Sequence, residues 1–158
     1  HGEYIKKRRL MIKKILFMGA VLFTACESES NGLKKVIATD QAPKAIGPYS
    51  QAILVDGTLY LAGQIALDPS SGKLVEGGIE VQTRRVMQNL NAVLDAAGYQ
   101  FDNVVQTQVF LSNLNHYKAM NSVYATYFEE RPPARAVVEV ARIPRDALVE
   151  IMMVAQRP

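Results

Sequence analysis

Two charged residues stand in segments that are otherwise apolar. Arg135 lies within residues 133–138 and Glu150 lies within residues 148–152. Burying an isolated charge is costly, so each side chain requires a partner or a ligand. A guanidinium presents a planar fork that matches a carboxylate, and a carboxyl group whose pKa is raised by apolar neighbours can move protons near neutral pH. The two residues therefore predict a site that binds a carboxylate and transfers protons.

A structural interpretation of the same charges stays open. Arg135 and Glu150 could form an internal ion pair, or could reach solvent from the edge of a sheet. Glu139 is a third candidate acid on the same strand as Arg135, and it could simply pair with Arg142 or Arg145.

Other reactive side chains give weaker signals. Ser50, Ser70 and Ser71 have no histidine near them in the sequence, which argues against catalysis of the Ser-His type. One Cys and two His are too few for a zinc site of the usual kind. Tyr49 follows a Gly-Pro turn and is more typical of packing, while Gly63 marks either a bulge or a close backbone approach.

Short strands open the body of the chain. Residues 35–39 predict a first strand, and residues 52–55 and 59–62 flank the dipeptide Asp56-Gly57, which supplies positive φ in a tight hairpin turn. A further short strand is predicted around residues 74–75.

Two helices follow. Val86, Leu90, Val93 and Ala97 recur at steps of four, three and four, which predicts a helix that ends at Gly98. Asn113 is predicted to cap a second helix over residues 114–128, and His116 on its early turns is expected to face solvent. The remaining strands are predicted over residues 104–111, 134–140 and 148–155, the last two joined by a turn at residues 144–146.

This order of elements predicts an α+β domain with a mixed sheet and both helices on one face. The closing strands are apolar enough to be buried on both faces, whereas two helices can cover only one. A second copy of the chain is therefore expected to cover the other face.

The positive charge of the chain is concentrated at its start. The net charge is +3, but 12 of the 18 basic and 14 of the 15 acidic residues follow residue 26, so that this part has a net charge of −2. A basic footprint for nucleic acid is therefore absent from the predicted domain.

The first 26 residues are typical of an export signal. A basic segment precedes the apolar run of residues 15–25, which ends in small residues before Cys26. The segment resembles a bacterial lipoprotein signal, in which Cys26 is lipidated and anchors an exported protein to an envelope membrane. Residues 27–34 are predicted to be a tether, and the domain to span residues 35–158. The alternatives are that Cys26 is an ordinary cysteine and that the protein is cytoplasmic. Met11 is a candidate start, which leaves the origin of residues 1–10 open.

Several ordered motifs of the body resemble those of the RidA/YjgF family of enamine and imine deaminases. They are residues 45–52 (AIGPYSQA), Gly63-Gln64-Ile65, Asp68-Pro69 with Ser71-Gly72, Ala96-Ala97-Gly98, and the stretch from Pro133-Ala134-Arg135 to Val149-Glu150-Ile151. The resemblance covers residues 35–156. It implies a fold of the small chorismate-mutase type, a homotrimer with a central barrel, and sites in clefts between subunits.

The resemblance also implies an activity and a set of site residues. The activity is hydrolysis of 2-imino acids, such as 2-iminopropanoate and 2-iminobutanoate, to 2-keto acids and ammonia without a metal or organic cofactor. Arg135 matches the residue that binds the substrate carboxylate, and Glu150 matches the acid that activates water. The substrate-binding positions that match are Tyr49, Gly63, Asn121 and Val137, the last through its backbone. Ala62 and Pro132 stand where many members have Ser and Phe, which affects the pocket wall and rim.

Two other functions remain as alternatives. A non-catalytic module that binds 2-keto acids would use Arg135 equally well, whereas only an enzyme needs Glu150. Ribonuclease or translation-inhibitor activity, which has been ascribed to members of the family, is disfavoured by the net charge of −2 and by the lack of a histidine pair.

Overall fold

The computed structural model describes residues 33–128 and 130–157. The predicted export signal with Cys26, and most of the predicted tether at residues 27–34, lie outside the described residues. Within the described part, none of the helices combines the length and the apolar character needed to cross a membrane.

Six strands form a single mixed sheet. They are β1 Lys35–Ile37, β2 Ala52–Val55, β3 Thr58–Gln64, β4 Val104–Leu111, β5 Ala134–Glu139 and β6 Val149–Gln156. Their order across the sheet is β1-β2-β3-β6-β4-β5. Strands β4 and β5 pair in parallel, and the other neighbours pair antiparallel. The predicted fold class, α+β with a mixed sheet, is confirmed.

The hairpin between β2 and β3 turns at Asp56-Gly57, as predicted. Both residues have positive φ, 48° at Asp56 and 72° at Gly57. A two-residue turn of this hand matches the right-handed twist of the flanking strands. Strand β3 is longer than predicted and carries on to Gln64, which brings Gly63 into the sheet.

Helix α1, Ile79–Ala97, packs an apolar stripe on the sheet. Val86, Leu90 and Val93 of that stripe are fully buried. The helix ends at Gly98, whose φ of 72° is the left-handed conformation that glycine adopts without strain. Both the helix and its end are as predicted.

Helix α2, Tyr117–Tyr124, is shorter than the predicted span of 114–128. Tight 3-10 turns flank it at Leu114–His116 and Ala125–Tyr127. The side chain of Asn113 accepts a hydrogen bond from the backbone N–H of Asn115 at 2.8 Å, which closes a turn tighter than an α-helical one.

The helices cover one face of the sheet and leave the other open. Val149, Ile151, Met153 and Ala155 of β6 point into the core and are buried. Met152 and Val154 alternate with them and are only half-buried. On the open face, Tyr60 of β3 and Val138 of β5 are 50% and 46% exposed. In a single chain the closing strands are therefore covered on one face only, because both helices lie on that face and β5 is an edge strand. The expected cover of the other face by a second copy stays a prediction.

Smaller differences concern the ends of elements. Residues 74–75 form no strand, and Leu74 makes only an isolated bridge to Leu67. Strand β1 ends at Ile37 rather than at residue 39, because the backbone N–H of Thr39 donates to the side chain of Gln51 instead of to a neighbouring strand. The predicted turn at residues 144–146 is present as a 3-10 turn.

Candidate active site

Arg135 lies on the edge strand β5, on the side of the sheet that the helices cover. Its backbone stands opposite Thr107 in the parallel pairing with β4, and Thr107 is fully buried in the core. The guanidinium carbon lies 4.6 Å from the centre of the Tyr124 ring and 5.9 Å from that of Tyr117. One guanidinium nitrogen donates to the Tyr117 hydroxyl at 3.4 Å. Two aromatic rings of α2 therefore hold the side chain.

The two tyrosines have different surroundings. The Tyr124 hydroxyl shares a buried hydrogen bond of 2.9 Å with the Thr107 hydroxyl, and burial raises the pKa of the Tyr124 phenol. Tyr117 lies at the rim and is 42% exposed. A hydrogen bond from the Asn121 side chain, followed by the positive charge of Arg135, lowers the pKa of the Tyr117 phenol. The hydroxyl oxygen of Tyr117 thus faces two donors.

A cleft of about 460 Å³ opens beside Arg135, and we name it the arginine cleft. It is lined by Asn121, Tyr124, Ala125, Phe128, Pro132, Pro133 and Arg135. Two of the predicted site residues, Arg135 and Asn121, therefore share one cleft. Its other walls are mostly apolar, which favours a ligand with a carboxylate at one end and an apolar remainder.

Glu150 lies on the opposite, open face of the sheet. It stands opposite Phe110 in the pairing of β6 with β4 and is half-buried. Burial raises the pKa of its carboxyl group above the usual value. Since apolar strands surround it, the carboxylate is less well solvated than one at the surface, which makes it a better proton acceptor.

Gly63 gives the Glu150 side chain the space that it occupies. A Cβ atom at position 63 would overlap Glu150 Oε1 and would lie 3.0 Å from Glu150 Cδ. The pairing of β3 with β6 shifts between Leu61 and Gln64, so a bulge places Gly63 next to the acid. The close backbone approach that the sequence suggested for Gly63 is thus an approach to Glu150.

A second cleft of about 370 Å³ contains Glu150, and we name it the glutamate cleft. Its residues are Pro43, Lys44, Ile46, Tyr49, Ala62, Gly63, Gln64, Ile65, Leu67, Pro144 and Glu150. Three predicted site residues, Tyr49, Gly63 and Glu150, therefore lie together. The side chain of buried Gln51 bonds the carbonyl groups of Ala42 and Pro43 and so fixes one wall of the cleft.

The remaining predicted residues lie elsewhere. Val137 stands opposite Val109 on the covered side of β5 and lines neither of the two clefts. Glu139 does not pair with Arg142 or Arg145, since its carboxylate accepts from the backbone N–H of Leu114 at 2.8 Å. Asp146 forms the ion pair with Arg142, at 2.7 Å, because both residues belong to the turn that precedes β6.

The internal ion pair that the sequence allowed between Arg135 and Glu150 is absent. The ion pairs of the described residues are Lys44–Asp40 and Arg142–Asp146. The other structural expectation was that both charges reach solvent from the edge of a sheet. It holds in part, because Arg135 lies on the edge strand β5, whereas Glu150 lies on β6 inside the sheet. Residues 33–128 and 130–157 bring no three His, Cys, Asp or Glu side chains together in a way that could hold a metal ion.

Sequence reasoning missed the part that Tyr117, Tyr124 and Thr107 play around Arg135. The spacing of the tyrosines along α2 predicts a core face, which is correct for Tyr124 but not for Tyr117. A signal was present nonetheless, because an arginine in an apolar strand needs neighbours for its charge, and aromatic faces are among the groups that provide them.

The sheet, the two helices and the two clefts define a small α+β domain. A sequence model of the family described as endoribonuclease L-PSP matches residues 39–157. The chain belongs to this family, which is the RidA/YjgF family that its motifs resemble.

Named relatives and solved structures share almost their whole length with the chain. A RutC family protein of Pyrococcus horikoshii is 50% identical over 125 residues, which are 79% of this chain and 99% of that protein. The 2-iminobutanoate/2-iminopropanoate deaminase of Mus musculus is 49% identical over 126 residues, 80% of this chain and 93% of the relative. Escherichia coli TdcF, whose crystal structure has bound serine, is 35% identical with a TM-score of 0.76, covering 79% of this chain and 100% of TdcF.

Proposed function

We propose that this protein hydrolyses 2-imino acids and their enamine tautomers to 2-keto acids and ammonia, with 2-iminopropanoate and 2-iminobutanoate as substrates. The observation that carries the proposal is the guanidinium of Arg135, which faces a cleft and forms no ion pair within the described residues. The mouse relative named as a deaminase of these two compounds supports the choice of reaction, and the serine bound by TdcF supports a ligand with a carboxylate.

Arg135 would bind the substrate carboxylate through two parallel hydrogen bonds. A bidentate guanidinium fixes the plane of the carboxylate as well as its position. The imine carbon is bonded directly to that carboxylate, so its position is fixed too. Holding the reacting carbon in place removes much of the entropic cost of bringing it to a water molecule.

Glu150 would move the protons. Its carboxylate takes a proton from water as the water oxygen adds to the imine carbon, and passes that proton to the nitrogen. The carboxylate then takes the proton of the new hydroxyl group and delivers it to the nitrogen, which leaves as ammonia while the carbonyl forms. Two protons of one water reach the nitrogen, and neither a metal nor an organic cofactor is required.

The proposed site is shared between copies of the chain. Arg135 and Asn121 lie in the arginine cleft, whereas Glu150, Gly63 and Tyr49 lie in the glutamate cleft. The open apolar face of the sheet supports association, because an apolar surface of this kind is stabilised by contact with another chain. We propose a homotrimer in which the arginine cleft of one copy meets the glutamate cleft of the next.

A carboxylate-binding protein without catalysis is the second candidate. One observation favours it: Arg135 and both of the tyrosines that contact its guanidinium belong to the same chain. A carboxylate could therefore be bound without residues from a second copy. Glu150→Gln separates the two functions. An enzyme loses turnover with this substitution and keeps its affinity for 2-oxobutanoate, whereas a binding protein has no turnover to lose.

The direct test is the release of keto acid and ammonia from freshly generated 2-iminopropanoate and 2-iminobutanoate. The wild type should accelerate both reactions, and Arg135→Ala should abolish the acceleration. Arg84→Ala is the matched control because Arg84 is an exposed residue of α1 outside both clefts. A wild type that folds and assembles but accelerates neither reaction would overturn the proposal.

Mixed assemblies test whether the site is shared. Arg135→Ala chains and Glu150→Gln chains are each expected to be inactive alone. When they are unfolded and refolded together, about one quarter of the sites of a randomly mixed assembly receive an intact arginine and an intact glutamate from different copies. Recovered activity supports a shared site. Activity that does not recover, while mass measurements show mixed assemblies, contradicts it.

A further inference from the structure

We propose that Tyr117 and Tyr124 form an aromatic clamp that positions the guanidinium of Arg135 for its ligand. The inference rests on the proposed function in one respect, namely that Arg135 binds a carboxylate. It adds two positioning residues and the buried Thr107 that anchors one of them.

The first half of the clamp is Tyr124, which is hydrogen-bonded to β4, the strand that pairs with the strand of Arg135. Tyr124 places its ring 4.6 Å from the guanidinium carbon, and its hydroxyl is fixed 2.9 Å from that of Thr107. Thr107 is fully buried and stands directly opposite Arg135 in the pairing of β4 with β5. Thr107 on β4 therefore fixes the Tyr124 ring, and the position paired with it on β5 carries the guanidinium of Arg135.

The second half lies two helical turns earlier on the same face of α2. Tyr117 accepts a hydrogen bond from Arg135 at 3.4 Å, and its ring centre lies 5.9 Å from the guanidinium carbon. Asn121 lies between the two tyrosines in sequence and lines the arginine cleft. One helix therefore supplies both rings and a polar side chain to the same cleft.

Aromatic rings suit this task better than an acid would. A carboxylate beside Arg135 would also orient it, but it would compete with the carboxylate of the ligand for the same N–H groups. An aromatic face attracts the cation through its quadrupole without using those N–H groups, and the Tyr117 hydroxyl accepts from only one of the guanidinium nitrogens. A side chain that is fixed before binding loses less conformational freedom on binding, which strengthens affinity.

Binding and turnover of Tyr117 variants test the clamp. Tyr117 is the better target because it is partly exposed, so its replacement leaves the core intact. We expect Tyr117→Leu to weaken the binding of 2-oxobutanoate by about tenfold and to raise KM by a similar factor. The fall in kcat should be smaller, since Arg135 still holds the carboxylate once the substrate is bound. Tyr117→Phe retains the ring and should lose about threefold. Tyr127→Phe, which removes a phenol hydroxyl outside both clefts, is the control.

A double-mutant cycle with Arg135→Lys separates positioning from a general structural effect. An ammonium group has no plane to orient. In the Arg135→Lys background, Tyr117→Leu should therefore change the Kd of 2-oxobutanoate by less than about twofold. An unchanged Kd in Tyr117→Leu alone, or the same factor in both backgrounds, overturns the clamp.

The same experiment distinguishes failure of the clamp from failure of the proposed function. If Arg135→Lys weakens binding and Tyr117→Leu does not, only the clamp is wrong. If Arg135→Lys binds 2-oxobutanoate as well as the wild type, the role of Arg135 is wrong and the clamp fails with it. If the wild type binds without turnover, the proposed reaction is wrong, and the binding measurements still decide the clamp.

Discussion

Arg135 and Glu150 lie on opposite faces of one sheet. Arg135 stands opposite Thr107 of β4, which in turn stands opposite Met153 of β6. Residues that face one another across strands point to the same side, and residues an odd number apart along a strand point to opposite sides. Glu150 is three residues from Met153 on the same strand, so its side chain points away from that of Arg135. One chain therefore presents Arg135 and Glu150 in two separate clefts rather than in one.

Gly63→Ala should displace the carboxyl group of Glu150, because the added Cβ would overlap it. We expect kcat for 2-iminobutanoate to fall by about tenfold or more, since misplacing a catalytic group by a small distance is costly. Gly78→Ala is the matched control, because a Cβ there meets nothing within 4 Å. Full activity of Gly63→Ala would contradict the placement of Glu150 as the acid.

Glu150→Gln should abolish turnover and change the pH dependence of stability. Burial raises the pKa of the Glu150 carboxyl in the folded chain. Folding therefore favours the protonated form, so the stability of the wild type falls as pH rises from the unfolded pKa through the folded one. Unfolding in urea at pH 4 and pH 7 should show that the variant lacks this fall. Equal pH dependence of both proteins would contradict the pKa direction.

The acid limb of the pH-rate profile should follow the same group. If ionised Glu150 is the base, kcat/KM falls as pH drops through a pKa that lies above the usual carboxyl value. Kinetic measurements of the wild type from pH 4 to 8 would locate this limb. A rate that does not change across the range would exclude Glu150 as the base.

Thr107→Val should leave the buried hydroxyl of Tyr124 without its partner. The loss of a buried hydrogen bond partner costs about 1–3 kcal/mol. Tyr124→Phe should cost a similar amount, whereas the double variant should cost less than the sum, because both partners are then removed together. Urea unfolding of the three variants measures this. Additive costs would show that the two hydroxyl groups do not depend on each other.

The open face of the sheet should be an interface between copies. Light scattering should give a mass near that of three chains. Val154→Arg adds a charge to the centre of that face, and we expect it to dissociate the assembly. Val81→Arg adds the same charge to an exposed valine of α1 and should leave the assembly intact. A wild type that remains a single chain would contradict both the trimer and the shared site.

Cys26→Ala tests the predicted lipid anchor. We propose that the protein is exported and attached to a bacterial envelope membrane through Cys26. The wild type should then appear in the membrane fraction and incorporate labelled palmitate, whereas Cys26→Ala should do neither. Ser28→Ala, two residues further on, is the control. An unlabelled wild type in the soluble fraction would favour the cytoplasmic alternative.

The sequence by itself predicted most of the fold and the two charged residues of the candidate site. Periodicity defined α1, the hairpin and β4, because burial of one face leaves a regular pattern in a single segment. Arg135 and Glu150 were recognisable since a charge in an apolar strand is costly wherever the strand packs.

Only the tertiary structure decided which face each charge takes and which residues surround it. The face of a side chain depends on the register between strands and on the bulge near Gly63, which are not properties of any one segment. The tyrosines of α2 have the same spacing as core residues, so their contact with Arg135 appears only once α2 packs beside β4 and β5. Local pattern specifies the elements, and long-range pairing specifies what meets at the site.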